Sequence, residues 1–286
     1  MTMFEKVAVL GFGTMGGGIA QVVAQSGRDV LVLESEQSRL DAGRAGIERF
    51  LAAGIERGKT TPEQRDEVLG RIRGTTSIAD LADVDLVIEA VTERREVKAA
   101  LFAEVAAVVS ATTVLATNTS ALSVSDLATS ASHPERFAGL HFFNPAQLMK
   151  VVEVVRGLAT SSEVNERLIA FVGEIGKDAV PVKDRPGFLV NKLLMPYLND
   201  VIQEFDDELA SAEDIDVAIR LGLGYKLGPF ELLDLIGLDV HEHATRSAYD
   251  ATLDPAFAPP PLLQTMVAAG RLGNKSGHGF RAGVSK

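Results

Sequence analysis

A short apolar run, Val7–Leu10, breaks directly into Gly11-Phe12-Gly13-Thr14-Met15-Gly16 and then into the helix-forming stretch Ile19-Ala20-Gln21-Val22-Val23. No other stretch of the chain narrows the possible folds as much. Glycines at this spacing between a strand and a helix allow a tight turn at Gly11, a close approach of backbone to ligand at Gly13, and close packing of the helix at Gly16. The helix start then offers free N–H groups and a positive dipole end to the phosphates of a dinucleotide. An ordinary glycine-rich turn satisfies the same letters. The next apolar run, Val30–Leu33, ends in Glu34, 23 residues after Gly11. A carboxylate there can accept hydrogen bonds from both hydroxyls of the adenosine ribose; the alternative is a solvated acid at a strand end. Ser35 follows it rather than an arginine, so a 2′-phosphate would meet negative charge with no adjacent cation. NAD is therefore favoured over NADP.

Further apolar runs at Leu86–Val91, Val114–Thr117, Gly139–Phe143 and Val151–Val155 alternate with segments of helical period. Continuous rather than alternating apolar character fits strands covered on both faces, as in a parallel βαβ sheet. Between the second and third runs lies an insertion, Ser35 to Asp83, with Leu40, Ile47, Phe50 and Leu51 at helical spacing and a break at Thr60-Thr61-Pro62; this predicts a helical hairpin. The strand pattern stops at Lys183-Asp184-Arg185-Pro186-Gly187, where Pro and Gly together resist both helix and strand. Beyond it, Phe188–Leu209 reads as a long helix, Ser211-Ala212-Glu213-Asp214 as a capping box, and Gly228-Pro229 as the start of another helix. The expectation is an α/β domain over residues 1–184 and an all-α domain over residues 185–286. The acidic run Glu204 to Asp216 reads most simply as a solvated helix face.

Composition removes several classes of function. With 28 Lys and Arg against 39 Asp and Glu, the net charge of −11 argues against a nucleic-acid binder, whose affinity rests on clustered cations. The absence of cysteine excludes disulfides, thiolate nucleophiles and cysteine-ligated metals, and suits a reducing cytoplasm. No metal is expected. The first residues lead into a strand without a charged-then-apolar leader, and no run approaches the roughly 20 apolar residues of a membrane span. A cytoplasmic protein is expected, with no membrane partner.

The phrase Gly139-Leu140-His141-Phe142-Phe143-Asn144-Pro145 puts a histidine within an apolar strand expected to end at the carboxyl edge of the sheet, where ligands of open α/β folds gather. On the next apolar run, Glu153 stands among valines, a costly place for an unpaired carboxylate. A histidine suits proton transfer near neutral pH. Each residue alone is equally well a satisfied core side chain.

Together with Val87-Ile88-Glu89-Ala90-Val91, Asn118-Thr119-Ser120, Pro186-Gly187-Phe188-Leu189-Val190-Asn191, Gly228-Pro229-Phe230-Glu231-Leu232-Leu233-Asp234 and Lys275-Ser276-Gly277-His278-Gly279-Phe280, these motifs span nearly the whole chain. The sequence resembles the L-3-hydroxyacyl-CoA dehydrogenase family, close to its bacterial 3-hydroxybutyryl-CoA dehydrogenase branch. That resemblance implies a Rossmann-type N-terminal domain with a helical hairpin insertion, an all-α C-terminal domain, and NAD-dependent interconversion of (3S)-3-hydroxyacyl-CoA and 3-oxoacyl-CoA. It implies that His141 is the general base, that Glu153 orients it and supports its imidazolium, that Ser120 hydrogen-bonds the reacting oxygen beside the nicotinamide, and that Asn191 helps to position the substrate in a cleft between domains. Phe12, Thr14 and Met15 lie with the three glycines in the cofactor loop, and Glu93, Lys98, Asn144 and Lys275 occupy positions where the family contacts NAD. Read without the resemblance, Asn118-Thr119-Ser120 is also a strand-end turn, Asn191 a cap-like residue, and Glu93 and Lys98 helix-surface charges.

The family receives CoA along the helical hairpin, where Arg57 and Lys59 are the candidates to meet its phosphates; a salt-bridged amphipathic hairpin has the same composition. Three departures bear on the substrate. Phe50 stands where some relatives carry a hydroxyl that touches CoA, Arg94 follows Glu93 where Asn is common, and Arg281 replaces a usual aromatic. They leave open a hydroxyacyl group on an acyl-carrier protein, or a free hydroxy acid. A non-enzymatic NAD-binding protein has no need of the His/Glu pair. The helical domain is expected to form a homodimer interface, since its apolar helices need cover.

Overall fold

The computed structural model describes residues 4–281. The chain divides into two compact units, Met1–Arg185 and Pro186–Lys286.

The N-terminal unit runs β1 (Lys6–Leu10), α1 (Thr14–Gln25), β2 (Asp29–Leu33), α2 (Gln37–Glu56), α3 (Pro62–Arg71), β3 (Ile72–Thr75), β4 (Leu86–Glu89), α4 (Arg95–Ala106), β5 (Val114–Thr117), α5 (Val124–Ala128), β6 (Phe137–Phe142), β7 (Val151–Arg156), α6 (Ser162–Glu174) and β8 (Asp178–Lys183). Its eight strands are ordered β3-β2-β1-β4-β5-β6-β7-β8, and every neighbouring pair is parallel except β6 with β7. The Rossmann-like α/β reading is thus the observed fold. β4, β5 and β6 are buried along their whole length, as continuous apolar runs require when helices cover both faces. The order reverses between β1 and β4, which opens the crevice at the carboxyl ends of those strands where ligands of such sheets bind.

Two strands went unseen in the sequence, and both are edges. β3 reads Ile-Arg-Gly-Thr with only its first residue buried, so it carries no apolar run; it also lies inside the insertion that the sequence assigns wholly to helices. β8 has no fully buried residue and contains Pro181, which an edge strand tolerates because one side of its ladder is unpaired. The hairpin helices themselves are α2 and α3. The start of α3 is fixed by a capping box, with Thr61 Oγ1 accepting from the Gln64 N–H and Gln64 Oε1 accepting from the Thr61 N–H.

The C-terminal unit is all helical: α7 (Val190–Asp206), α8 (Ala212–Leu223), α9 (Pro229–Ile236), α10 (Leu238–Thr252) and α11 (Pro261–Ala268). Ser211 caps α8 by accepting from the Asp214 N–H, a contact worth about 1 kcal/mol. Its hydroxyl donates to the Asp214 carboxylate, so the reciprocal bond runs side chain to side chain rather than back to the Ser211 N–H. Phe205, Phe230 and Phe280 pack with ring centroids 4.8–5.8 Å apart, tying the last segment to α7 and α9. Among the described residues no helix is long and apolar enough to cross a membrane.

Candidate active site

The glycine loop adopts the conformation its letters require. Gly11 has φ +91°, and a side chain there would put its Cβ 2.9 Å from the Ala90 carbonyl oxygen; a Cβ on Gly16 would come within 1.9 Å of the Gly11 carbonyl oxygen. Gly16 therefore serves first to seat α1 on its own preceding turn, with the β1 residue Val9 next at 3.5 Å. Gly13 has nothing within 4 Å of its Cβ position and lines two open clefts. Glu34 reaches across from the end of β2. Its Oε1 accepts from the Phe12 N–H at 2.7 Å and its Oε2 from the Ser35 N–H at 3.0 Å.

One cleft lies over the carboxyl ends of the strands, lined by Leu33, Glu34, Ser35, Thr76, Ile78 and Val91 among others. The other is bounded by Thr14, Gly17, Ile47, Phe50 and Asn144. An open glycine backbone, a helix N-terminus and a strand-end carboxylate beside a cleft fit an adenosine dinucleotide. Among the described residues no group of three or more His, Asp or Glu side chains could hold a metal ion.

The antiparallel pairing of β6 with β7 puts His141 directly opposite Glu153. The carboxylate is completely buried, the imidazole nearly so, and Nδ1 lies 2.6 Å from Glu153 Oε2. Because a carboxylate only accepts, Nδ1 carries the proton, which makes Nε2 the basic nitrogen. Nε2 is 3.0 Å from Ser120 Oγ, and Ser120 itself is exposed at the end of the turn after β5. Asn118 stiffens this turn against β6, its Oδ1 accepting from the Phe142 N–H at 2.8 Å.

Glu93 holds the same turn from the β4–α4 side. One of its oxygens accepts from Thr119 Oγ1 (2.5 Å), the Ser120 N–H (2.8 Å) and the Ala121 N–H (3.3 Å). Burial pushes the Glu93 carboxyl up, but the Lys98 ammonium and the bonds from Thr119 and Ser120 outweigh it and hold the pKa below the ordinary 4.5. Lys98 has a side chain only 1% exposed, with Nζ 2.6 Å from Glu89 Oε1 and 3.2 Å from Glu93 Oε2. It stands behind Glu93, not at the cleft surface.

The other expected residues fall in different places. Asn144 is exposed beside the second cleft, on a loop fastened from behind by Lys177, whose Nζ donates to the carbonyls of Ala146 (2.7 Å) and Met149 (2.6 Å); burial lowers the pKa of that amine. Asn191 is in the first turn of α7 and Lys275 pairs with Asp239, both in the C-terminal unit. Arg57 and Lys59 are exposed in the α2–α3 turn and line neither cleft. The cations that do are Arg39, in both clefts, and Arg49, beside Phe50 in the second. Sequence reasoning missed them, although their positions on the same helix as Phe50 were a usable signal. It also gave no role to Glu89, an acid inside the apolar run Leu86–Val91.

This combination of nucleotide-binding sheet edge and buried His/Glu pair defines a dinucleotide-dependent dehydrogenase. Residues 6–185 match the family model described as the NAD binding domain of 3-hydroxyacyl-CoA dehydrogenase, and residues 187–283 match that of its C-terminal domain. A probable 3-hydroxybutyryl-CoA dehydrogenase of Deinococcus radiodurans is 43% identical over 96% of this chain and 99% of its own. The 3-hydroxyadipyl-CoA dehydrogenase of Escherichia coli is 45% identical over 98% of this chain and 59% of its own. The crystal structure of (S)-3-hydroxybutyryl-CoA dehydrogenase from Ralstonia eutropha superposes with a TM-score of 0.95 at 37% identity, covering 99% of this chain and 100% of that one. The chain belongs to the 3-hydroxyacyl-CoA dehydrogenase family. It is an NAD-dependent enzyme that interconverts 3-hydroxyacyl-CoA and 3-oxoacyl-CoA.

Proposed function

We propose that the substrate is a short-chain (3S)-3-hydroxyacyl-CoA, 3-hydroxybutyryl-CoA first, and that His141 Nε2 takes the proton of its 3-hydroxyl. The observation that carries the proton transfer is the hydrogen-bonded line from buried Glu153 through His141 to exposed Ser120, and the short chain is supported by the similarity to 3-hydroxybutyryl-CoA dehydrogenases. Bound NAD supplies the acceptor for the hydride from C3. Glu153 fixes the imidazole in the tautomer that leaves Nε2 basic and offsets the positive charge when the proton arrives, a division of labour worth several orders of magnitude elsewhere. Ser120 Oγ, held at 3.0 Å, meets the same substrate oxygen. In the reducing direction the proton returns from Nε2 to that oxygen.

Gly11 to Gly16, Glu34, Glu93, Asn144 and Lys275 are the cofactor contacts of this reading, and Asn191 positions the substrate. Arg39 and Arg49 are better placed than Arg57 and Lys59 to meet anionic groups in the clefts. A homodimer formed through the C-terminal unit is part of the same proposal. Its support is the set of exposed apolar side chains Leu193, Leu221, Leu223 and Leu235, more than scattered surface residues need. A cytoplasmic location, which the cysteine-free composition supports, completes it.

The test is NADH oxidation with acetoacetyl-CoA, with NADPH and a carrier-protein-bound acetoacetyl group in parallel. Rapid turnover with NADH and the CoA thioester is the expected result; activity on the carrier-bound group alone would overturn the CoA assignment. The 45% identity to a relative named for 3-hydroxyadipyl-CoA favours a second reading, an acyl chain ending in a carboxylate. A kcat/KM higher for that chain than for the four-carbon one would establish it.

A further inference from the structure

Glu89 closes β4 and is completely buried, yet none of the steps above uses it. One of its oxygens accepts from Lys98 Nζ at 2.6 Å and from the Val91 N–H at 2.7 Å; the other accepts from Thr117 Oγ1 at 2.7 Å. A single carboxylate thereby ties together the ends of β4 and β5, the loop after β4, and α4. A buried ion pair is a weak source of stability, because desolvation of both groups cancels most of their attraction. Stability alone therefore does not account for it.

What the pair does have is a third member. The Lys98 ammonium is 3.2 Å from Glu93, and Glu93 grips the Thr119–Ala121 turn through three donors. That turn carries Ser120, 3.0 Å from the basic nitrogen of His141. A lysine has a long flexible stem and fixes nothing unless its own head is fixed; Glu89 fixes it.

We propose that Glu89 is a positioning residue for the reaction, acting through Lys98 to hold Glu93 in place and so to aim Ser120 at His141. Lys98 then acts on the turn through Glu93. The inference rests on the reading of Ser120 and His141 as the reacting pair. Glu93 is the partly exposed member of the triad, with a side chain 40% accessible, and Lys98 is the cation set against it. Without that cation, burial is opposed only by the hydrogen bonds from the turn, and Glu93 takes up a proton at higher pH.

The experiment compares three variants of the full-length enzyme with wild type: the double variant Glu89→Gln/Lys98→Met, Glu89→Asp, and His141→Gln. Thermal midpoint, kcat, both KM values and the pH profile of kcat are measured for each. The double variant removes both buried charges together, so a purely structural pair predicts wild-type kcat. A positioning role predicts that it folds but turns over at least about tenfold more slowly, with both KM values within about twofold, since small misplacements of reacting groups cost rate rather than binding. It also predicts that the acid limb of the profile moves to higher pH. A double variant with wild-type kcat, or with an unmoved acid limb, overturns the proposal. Should that variant not fold, Glu89→Asp decides alone, because it keeps the charge and withdraws it by one methylene: a threefold or greater loss of kcat supports the proposal and a smaller one overturns it. His141→Gln separates the two levels of argument. If it leaves turnover intact, the reading of the site has failed; if it abolishes turnover while the other variants behave as wild type, only the role of Glu89 has failed.

Discussion

Both units bury charged and polar side chains, but they put them to different uses. In the C-terminal unit, Asp216 is completely buried and accepts from the N–H groups of Phe230 and Glu231 at the start of α9, with Arg281 as its ion partner. Asn199 donates to Thr245 and to the Ala256 carbonyl while accepting from His241. These groups lock helix ends and a loop together. In the N-terminal unit Arg28, Arg136 and Lys177 likewise fasten backbone carbonyls, but Glu153 and the Glu89/Lys98 pair converge on one exposed hydroxyl, Ser120, at the carboxyl end of the sheet. The desolvation problem is the same in both places. In one unit its solution stabilises architecture, and in the other it also holds a base and a donor together at the carboxyl end of the sheet.

That contrast can be broken most forcefully at His141. His141→Gln is expected to lower kcat by about a thousandfold or more, with NADH still binding, as read by fluorescence titration; loss of NADH binding as well would mean that the pair builds the fold. Glu153→Gln comes next. It keeps the shape but removes the charge that balances the imidazolium, so kcat should fall by about a hundredfold, and a loss under threefold would make the carboxylate a packing residue.

The C-terminal unit should answer in stability and not in rate. Arg281→Met strips Asp216 of its ion partner but leaves both backbone donors in place. The expected loss is about 2 kcal/mol, below the 3–5 kcal/mol of a fully orphaned buried charge, with kcat within about twofold of wild type. A large fall in kcat at unchanged thermal midpoint would erase the distinction between the units.

The last effect is a slope with pH. Burial lowers the pKa of His241 from 6.5 to about 4, so the unfolded chain binds the proton that the folded one refuses. Stability is then greatest above pH 6.5 and falls as pH drops toward 4, by about 3 kcal/mol at most. Thermal midpoints measured from pH 7.5 to 5 should decline, and His241→Gln should flatten the decline.

The strands of the sheet interior were legible as continuous apolar runs, and the glycine loop could be read residue by residue, because local chemistry governs both. The edge strands β3 and β8 were not, since an edge needs few apolar residues and tolerates the glycine and proline seen there. At the site, His141 and Glu153 stood out as polar residues inside apolar runs. Lys98 was marked only by the family resemblance: Arg95-Glu96-Val97-Lys98 by itself looks like any solvated helix face, and the packing of α4 at the end of β4 turns one of its charges inward. Arg39 and Arg49 had only their place on the same helix as Phe50 to mark them, because the sequence of a helix surface does not show what faces it.

From its letters alone the chain commits to a turn that only glycine can make at Gly11, to strands that must be covered on both faces, and to a helical second half. These follow from backbone sterics and from the period of burial, which act over a few residues. The register that sets His141 against Glu153, and the meeting of Glu89, Lys98 and Glu93 behind Ser120, belong to the folded sheet. They join residues 5 to 27 apart in the sequence, and only the pairing of strands and the packing of α4 bring all of them within hydrogen-bonding distance at once.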